Sequence, residues 1–184
     1  MLHKTAILLS IILFASACGE EALPKPRAML RLEYPESGMV PLDEDCPFTF
    51  EYNDRAMLSA GQDCAINLKY PTMKGSIFIT YKPVTGNLEK LLTDAQKLSY
   101  EHVVKADDII EQPFVNSGSQ VYGMYYEVRG NAASQAQFYV TDSTRHFVTG
   151  SLYFYARPNY DSIYPAAVYL QKDMRRIMES LQWK

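Results

Sequence analysis

The sequence predicts an α+β domain, a largely antiparallel sheet with two amphipathic helices packed on it. Several short runs alternate apolar and polar residues, the period of a half-buried strand. Two longer runs repeat apolar residues at i, i+3, i+4 and i+7, the period of one helix face. Strands, helix, strands, helix is the resulting order.

The chain opens on the short basic region Met1-Leu2-His3-Lys4, an apolar run over residues 5–17 and the small residues Ala15-Ser16-Ala17 before Cys18-Gly19. That is the layout of a secretory signal, too short to cross about 30 Å of hydrocarbon, which takes roughly 20 apolar residues. Residues 1–17 are expected to be removed, and Cys18, placed directly after the small residues, to carry the lipid of a bacterial lipoprotein. Ala15 stands where such motifs more often have Leu, and an ordinary cleavage site is the alternative. One acyl chain anchors only marginally at about 0.8 kcal/mol per CH₂, so durable attachment needs several chains on Cys18. Residues 18–27, polar and broken by Pro24 and Pro26, are read as a lipidated tether. Residues 28–184 are read as a single domain, since about 167 residues after cleavage (184 − 17) suit one core.

Within that domain, residues 29–34, 48–52, 64–70 and 76–82 alternate as strands, the last with Ile77, Ile79 and Tyr81 on one face and Phe78 on the other. A helix of about 17 residues follows Asn87, its inner face Leu88, Leu91, Leu92, Ala95, Leu98, Ser99 and Val103. Asp107-Asp108 reads as a loop. After Gln112-Pro113 the runs 121–128, 134–141 and 146–156, parted by Gly130-Asn131 and Asp142-Ser143-Thr144, make a three-stranded meander. Ten of the 23 aromatics fall between residues 120 and 160, on both faces of these strands, so the sheet is expected to be covered on both sides or sticky on one. Asp161 or Ser162 is expected to cap a closing helix, with Pro165 in its first turn and Ile163, Ala166, Ala167, Leu170, Met174, Ile177, Met178 and Leu181 inward.

Without the signal, 17 basic against 21 acidic residues give 17 − 21 = −4. No basic stripe is present to neutralise phosphates, which excludes nucleic acid as the natural partner. Cys46 and Cys64 form an even pair in a chain bound for an oxidising compartment, so a disulfide is expected; two buried free thiols are the alternative. A loop of about 18 residues closed this way stabilises by about 3 kcal/mol. His102 and His146 show no ligand spacing with these cysteines, so no metal is expected.

Catalytic groupings are equally thin. Ser143 lies three residues before His146 without a G-x-S-x-G elbow, and Ser134 and Asp142 complete no recognisable triad. His146 reads as a strand-start residue hydrogen-bonded to backbone, and His102 as a core or boundary residue of the first helix. Glu20-Glu21 and Asp107-Asp108 are sequence neighbours that rarely face one pocket. No phosphate loop or cofactor motif occurs, and no cofactor is expected. The most distinctive stretch is the strand exit with Tyr153, Tyr155, Arg157, Asn159, Tyr160 and Asp161. Tyr and Arg favour contact sites through large area and polar tips, so these six are candidate partner-binding residues; core packing and turn formation are the alternative.

Leu30-Arg31-Leu32-Glu33-Tyr34-Pro35, Cys46-Pro47-Phe48-Thr49-Phe50-Glu51-Tyr52 and Ile79-Thr80-Tyr81-Lys82-Pro83 resemble the gliding motility lipoprotein GldD family of Bacteroidetes. Gly130-Asn131-Ala132-Ala133-Ser134-Gln135, Phe138-Tyr139-Val140-Thr141-Asp142-Ser143, Gly150-Ser151-Leu152-Tyr153-Phe154-Tyr155 and Leu181-Gln182-Trp183-Lys184 resemble it too, so the likeness runs from about Pro24 to the end. The resemblance implies a non-catalytic, lipid-anchored envelope protein on the periplasmic side, the outer membrane being favoured. It implies partners among other gliding or type IX secretion components, and it brings no assigned binding residue. The element order also looks similar to the PsbP and Mog1-like fold. A carbohydrate-binding module, with the tyrosines stacking on sugar rings, is the competing expectation.

Overall fold

A computed structural model describes residues 32–36, 38–100, 106–155 and 159–184. The signal, Cys18, residues 18–27, His102, Val103 and Arg157 lie outside the described residues.

Eleven strands and two α-helices make up the described chain: β1 (Met39–Pro41), β2 (Phe48–Thr49), β3 (Glu51–Asn53), β4 (Met57–Ala60), β5 (Ile66–Tyr70), β6 (Gly75–Pro83), α1 (Leu88–Tyr100), β7 (Ala106–Asn116), β8 (Val121–Gly130), β9 (Ser134–Thr141), β10 (His146–Phe154), α2 (Tyr160–Ser180) and β11 (Gln182–Trp183). Seven strands form one antiparallel sheet in the order β4-β5-β6-β10-β9-β8-β7. The small pairs β1-β3 and β2-β11 stand apart from it, the second bringing Gln182–Trp183 beside Phe48–Thr49.

Strand alternation sorts the sheet into two faces. Ile77 and Ile79, Val148 and Leu152, and Phe138 and Val140 share one face with Phe48 of β2 and Phe50 between β2 and β3, and α2 lies across it. The side chain missing at Gly150 makes room there, since a Cβ would overlap the Phe138 ring on the neighbouring strand. The other face carries Ser76, Phe78, Gln137, Tyr139, Phe147, Thr149 and Tyr153, and α1 crosses part of it, with Ser99 Oγ donating to Gln137 Oε1 at 2.9 Å.

Several expectations need correction. Residues 32–36, the described part of the run 29–34, form no strand; the segment is held by side chains, with Tyr169 donating to the Pro35 carbonyl at 2.9 Å. Asp107-Asp108 is no loop but the start of β7, an 11-residue edge strand whose register shifts between Ala106 and Asp108. Gly130, opposite Ala106, has φ +101°, and a Cβ there would press on Asp107. Pro113 misled the reading of this run: it breaks an interior strand, but on an edge its missing N–H costs no ladder bond. The meander is therefore four strands of a larger sheet. The run 48–52 splits into β2 and β3 around Phe50, and Cys64 falls in a short 3-10 turn, Gln62–Cys64, before β5.

Helix α2 begins at Tyr160, with Asn159 rather than Asp161 or Ser162 at the cap position, which puts Pro165 in the second turn. Asn159 makes no side-chain cap bond; instead Asn131, from the β8-β9 turn, accepts the Tyr160 N–H at 2.8 Å. A cap supplied across the fold leaves no local signal.

Candidate functional site

Tyr153, on the sheet face opposite α2, and Tyr155, just past the end of β10, border one cleft. Tyr153 stands between Ser76 of β6 and Ser134 of β9, and its ring meets Phe78 edge-on at 5.9 Å. Tyr155, past the strand end, is 62% exposed while its N–H is fixed to the Lys74 carbonyl at 2.7 Å. The two line a cleft of about 500 Å³ with Phe78, Ala132, Ala133, Gln135, Phe154 and Ile163. None of these side chains is charged, so the cleft suits a neutral, partly apolar contact.

Gln135 was missed by sequence reasoning. It is buried, and its Nε2 donates to the carbonyls of Ala132 (2.9 Å) and Gly130 (3.3 Å), which fixes the amide orientation and leaves Oε1 without a partner. As a polar residue on an alternating strand it carried no distinguishing pattern. Of the remaining candidates, the described ones, Asn159, Tyr160 and Asp161, do not line the cleft. Asn159 and Tyr160 start α2, where the Asn159 carbonyl accepts from Ser162 and Ile163 and the Tyr160 ring packs edge-on against Tyr164 at 5.5 Å. Burial pushes the Tyr160 phenol above its usual range. Asp161 occupies the first turn, where a carboxylate suits the helix dipole.

A sugar platform would need exposed, coplanar rings. Tyr153 is half-buried with its ring at 70° to Phe78, which leaves Tyr155 as the open ring of the pair.

Of the residues weighed for catalysis, Ser134 and Asp142 are engaged in structural bonds, whereas His146 Nε2 is buried without a partner. His146 does start β10, yet its ring bonds a side chain and not the backbone: Nδ1 lies 3.0 Å from the Tyr81 hydroxyl, and the ring stacks on Trp183 at 5.2 Å. Ser134 Oγ donates to the Ala136 carbonyl at 3.1 Å, and the Ser143 N–H donates to Thr141 Oγ1 at 2.9 Å. Asp142 accepts the N–H groups of Thr144 (3.0 Å), Arg145 (2.8 Å) and His146 (2.8 Å), and the Thr144 hydroxyl at 2.9 Å. Burial alone would raise its pKa, but these donors outweigh it and hold the carboxyl at about 2. Such an aspartate organises a turn and is a poor proton carrier near neutrality. Among the described residues no three of His, Cys, Asp and Glu converge to hold a metal ion.

Cys46, in the loop before β2, and Cys64 have their sulfurs at bonding distance and their Cα atoms 5.7 Å apart. The link joins the small strands to the β4-β5 edge of the sheet. Asp63 and Cys64 both adopt positive φ, 53° and 56°, so the link secures a turn that side chains disfavour.

Residues 19–183 match the family model of the gliding motility lipoprotein GldD. The chain belongs to this family. Its GldD match takes in the cysteine pair, both helices, all seven strands of the main sheet and the aromatic cleft, so the family relation rests on the whole fold rather than on one motif. Membership ties the chain to gliding motility and the cell envelope. Among the described residues no helix is long and apolar enough to cross a membrane. Comparison with curated proteins gives no match.

Proposed function

We propose that this GldD-family chain works as a lipid-anchored, non-catalytic component of the gliding apparatus and of the associated type IX secretion machinery. Residues 1–17 are the signal, Cys18 carries the acyl chains, residues 18–27 are the tether, and residues 28–184 are one domain of PsbP/Mog1-like architecture. The domain faces the periplasm from a lipid anchor, the outer membrane being favoured, and holds other envelope proteins of the apparatus through Tyr153, Tyr155, Arg157, Asn159, Tyr160 and Asp161.

The observation that carries this reading is the family match over residues 19–183. It is supported by the engagement of His146, Ser134 and Asp142 in structural bonds, and by a neutral aromatic cleft suited to contact rather than to bond making. Replacing the chromosomal copy with Cys18→Ser provides the test. The expected result is a product that no longer incorporates labelled palmitate, leaves the membrane fraction and fails to support spreading on agar. Normal spreading by an unacylated product overturns the anchor. In parallel, crosslinking of the acylated chain is expected to recover envelope proteins, and Tyr155→Ala to reduce that recovery at least threefold; an unchanged pattern removes the cleft from the interface.

A further inference from the structure

The described domain starts at Leu32, and residues 32–35 run between two clefts that share Tyr169. One, of about 520 Å³, is bordered by Leu32, Pro35, Met57, Met73 and Arg55; the other, of about 390 Å³, by Tyr34, Tyr164, Pro165, Val168 and Lys172. Tyr34 packs against Tyr169 with ring centroids 5.6 Å apart, and Tyr169 donates to the Pro35 carbonyl, so the clefts form one continuous surface around the entering chain. Met57 on the edge strand β4 is 61% exposed and Tyr164 on α2 is 46% exposed, one beside each cleft.

We infer that this surface rests on the bilayer holding the Cys18 lipid, with Met57 and Tyr164 at the level of the headgroups and upper acyl chains. The inference rests on the lipid-anchor reading above. Its first support is where the tether joins. Thirteen residues, 19–31, separate Cys18 from Leu32, a reach of about 50 Å at most. The tether therefore meets the described domain between the two clefts and keeps them within that reach of the membrane. A surface too weak to bind lipid from solution is occupied once a tether supplies a high effective concentration.

Its second support is chemical. Tyrosines with an apolar body and a polar tip, together with cations whose stems lie along apolar surface, are the residues that settle at a lipid–water interface. Tyr34, Tyr164 and Tyr169 occur here with exposed Arg55, Lys69 and Lys172, and Lys69 stands directly opposite Met57 across the β4-β5 pair. The acidic neighbours include Glu33, Glu36 and Asp54, the last 3.6 Å from Arg55. Val115, equally prominent at 69% exposure, lies on β7 at the opposite edge of the sheet and is placed far from the membrane by the same orientation.

The test uses the full acylated chain in phosphatidylethanolamine–phosphatidylglycerol vesicles containing nitroxide-labelled lipid. An environment-sensitive fluorophore is attached at Met57→Cys, Tyr164→Cys or Val115→Cys. Quenching at 57 and 164 is expected to exceed that at 115 at least twofold. Equal quenching at all three, or none at 57 and 164 on vesicles that carry the protein, overturns the orientation. Failure of the wild-type chain to sediment with vesicles overturns the anchor itself and the orientation with it, an outcome read separately. Hydrogen exchange of the unsubstituted chain guards against misfolded variants: acylated chain on vesicles is expected to gain protection at residues 54–58 and 164–169 relative to Cys18→Ser, with no change at 113–116. Any other pattern overturns it.

Discussion

The two faces of the seven-stranded sheet are covered in different ways. On one, α2 buries nine of its 21 residues, and Leu170, Met174 and Ile177 close over Ile77, Ile79, Leu152 and Phe138. On the other, α1 buries only Leu91 and Ser99 of its 13, above a sheet surface that presents Ser76, Gln137 and Ser151 among aromatic rings. Ser76 Oγ and Gln137 Nε2 are buried without hydrogen-bond partners on that side. Both helices show the same i, i+3, i+4 apolar repeat. Periodicity reveals which side of α2 turns inward, but on α1 Leu98, read as inward, is 38% exposed, because the depth of burial depends on the chemistry of the sheet beneath.

The largest effect that separates the faces is truncation of a central side chain. Leu170 is fully buried against the sheet, and Leu170→Ala is expected to cost about 3–5 kcal/mol. Leu91→Ala, beneath the shorter helix, is expected to cost about 1–2 kcal/mol, since its surroundings can relax. Urea unfolding of both variants measures the gap. Equal losses would mean that α1 seals its face as fully as α2 does.

The fold class, both helices and most strands of the main sheet were legible because each is written in local alternation. All eight residues read as the inner stripe of α2 are buried. What escaped was set by contacts remote in sequence. β7 exists because its edge position tolerates Pro113, α2 starts two or three residues early because Asn131 reaches it from another turn, and β11 is strand only because β2 lies beside it. At the cleft, Tyr153 and Tyr155 were legible as a pair, whereas Gln135 and Phe78 join them only when β6, β9 and β10 are side by side.

Charge sharpens the comparison at a smaller scale. Asp142, in the β9-β10 turn outside both faces, has its pKa held at about 2 by surrounding donors. Asp173 is buried on α2, where it accepts from Asn53 Nδ2 at 2.7 Å; burial raises its pKa, against the pull of Asn53 and Tyr70. The two therefore shift stability in opposite directions. A depressed carboxyl stabilises the fold above the unfolded value of about 3.8, and that contribution is lost as pH falls toward 2. A raised one opposes folding when ionised, and the penalty fades as pH falls to about 3.8. Asp142→Ala is accordingly expected to lose about 2 kcal/mol at pH 7 and less at pH 2. Asp173→Asn is expected to gain about 1 kcal/mol at pH 7, keeping an acceptor for Asn53 without the buried charge, and to gain nothing at pH 3. Thermal unfolding across that range checks both signs. A loss at pH 7 in Asp173→Asn would show that the ionised carboxylate is a needed part of the α2 face.

The smallest expected effect concerns the bond that joins α1 to its sheet. Ser99 Oγ donates to Gln137 Oε1 at 2.9 Å and also to the Ala95 carbonyl at 3.2 Å, while Gln137 Nε2 remains unmatched. Removing the hydroxyl alone leaves an amide with neither end satisfied, so Ser99→Ala is expected to cost about 1–2 kcal/mol. Replacing Gln137 by Leu removes both the bond and the orphaned amine, and its net effect is expected to stay within about 0.5 kcal/mol of zero. The double variant is then expected to be about 1 kcal/mol more stable than Ser99→Ala alone, a coupling of about 1 kcal/mol in the mutant cycle. That outcome would make the polar pair dispensable for the stability of this face, and its polarity a property to be sought in contacts beyond the domain. Additive losses would instead show that Gln137 holds α1 through packing, drawing the two faces closer in kind than their burial suggests.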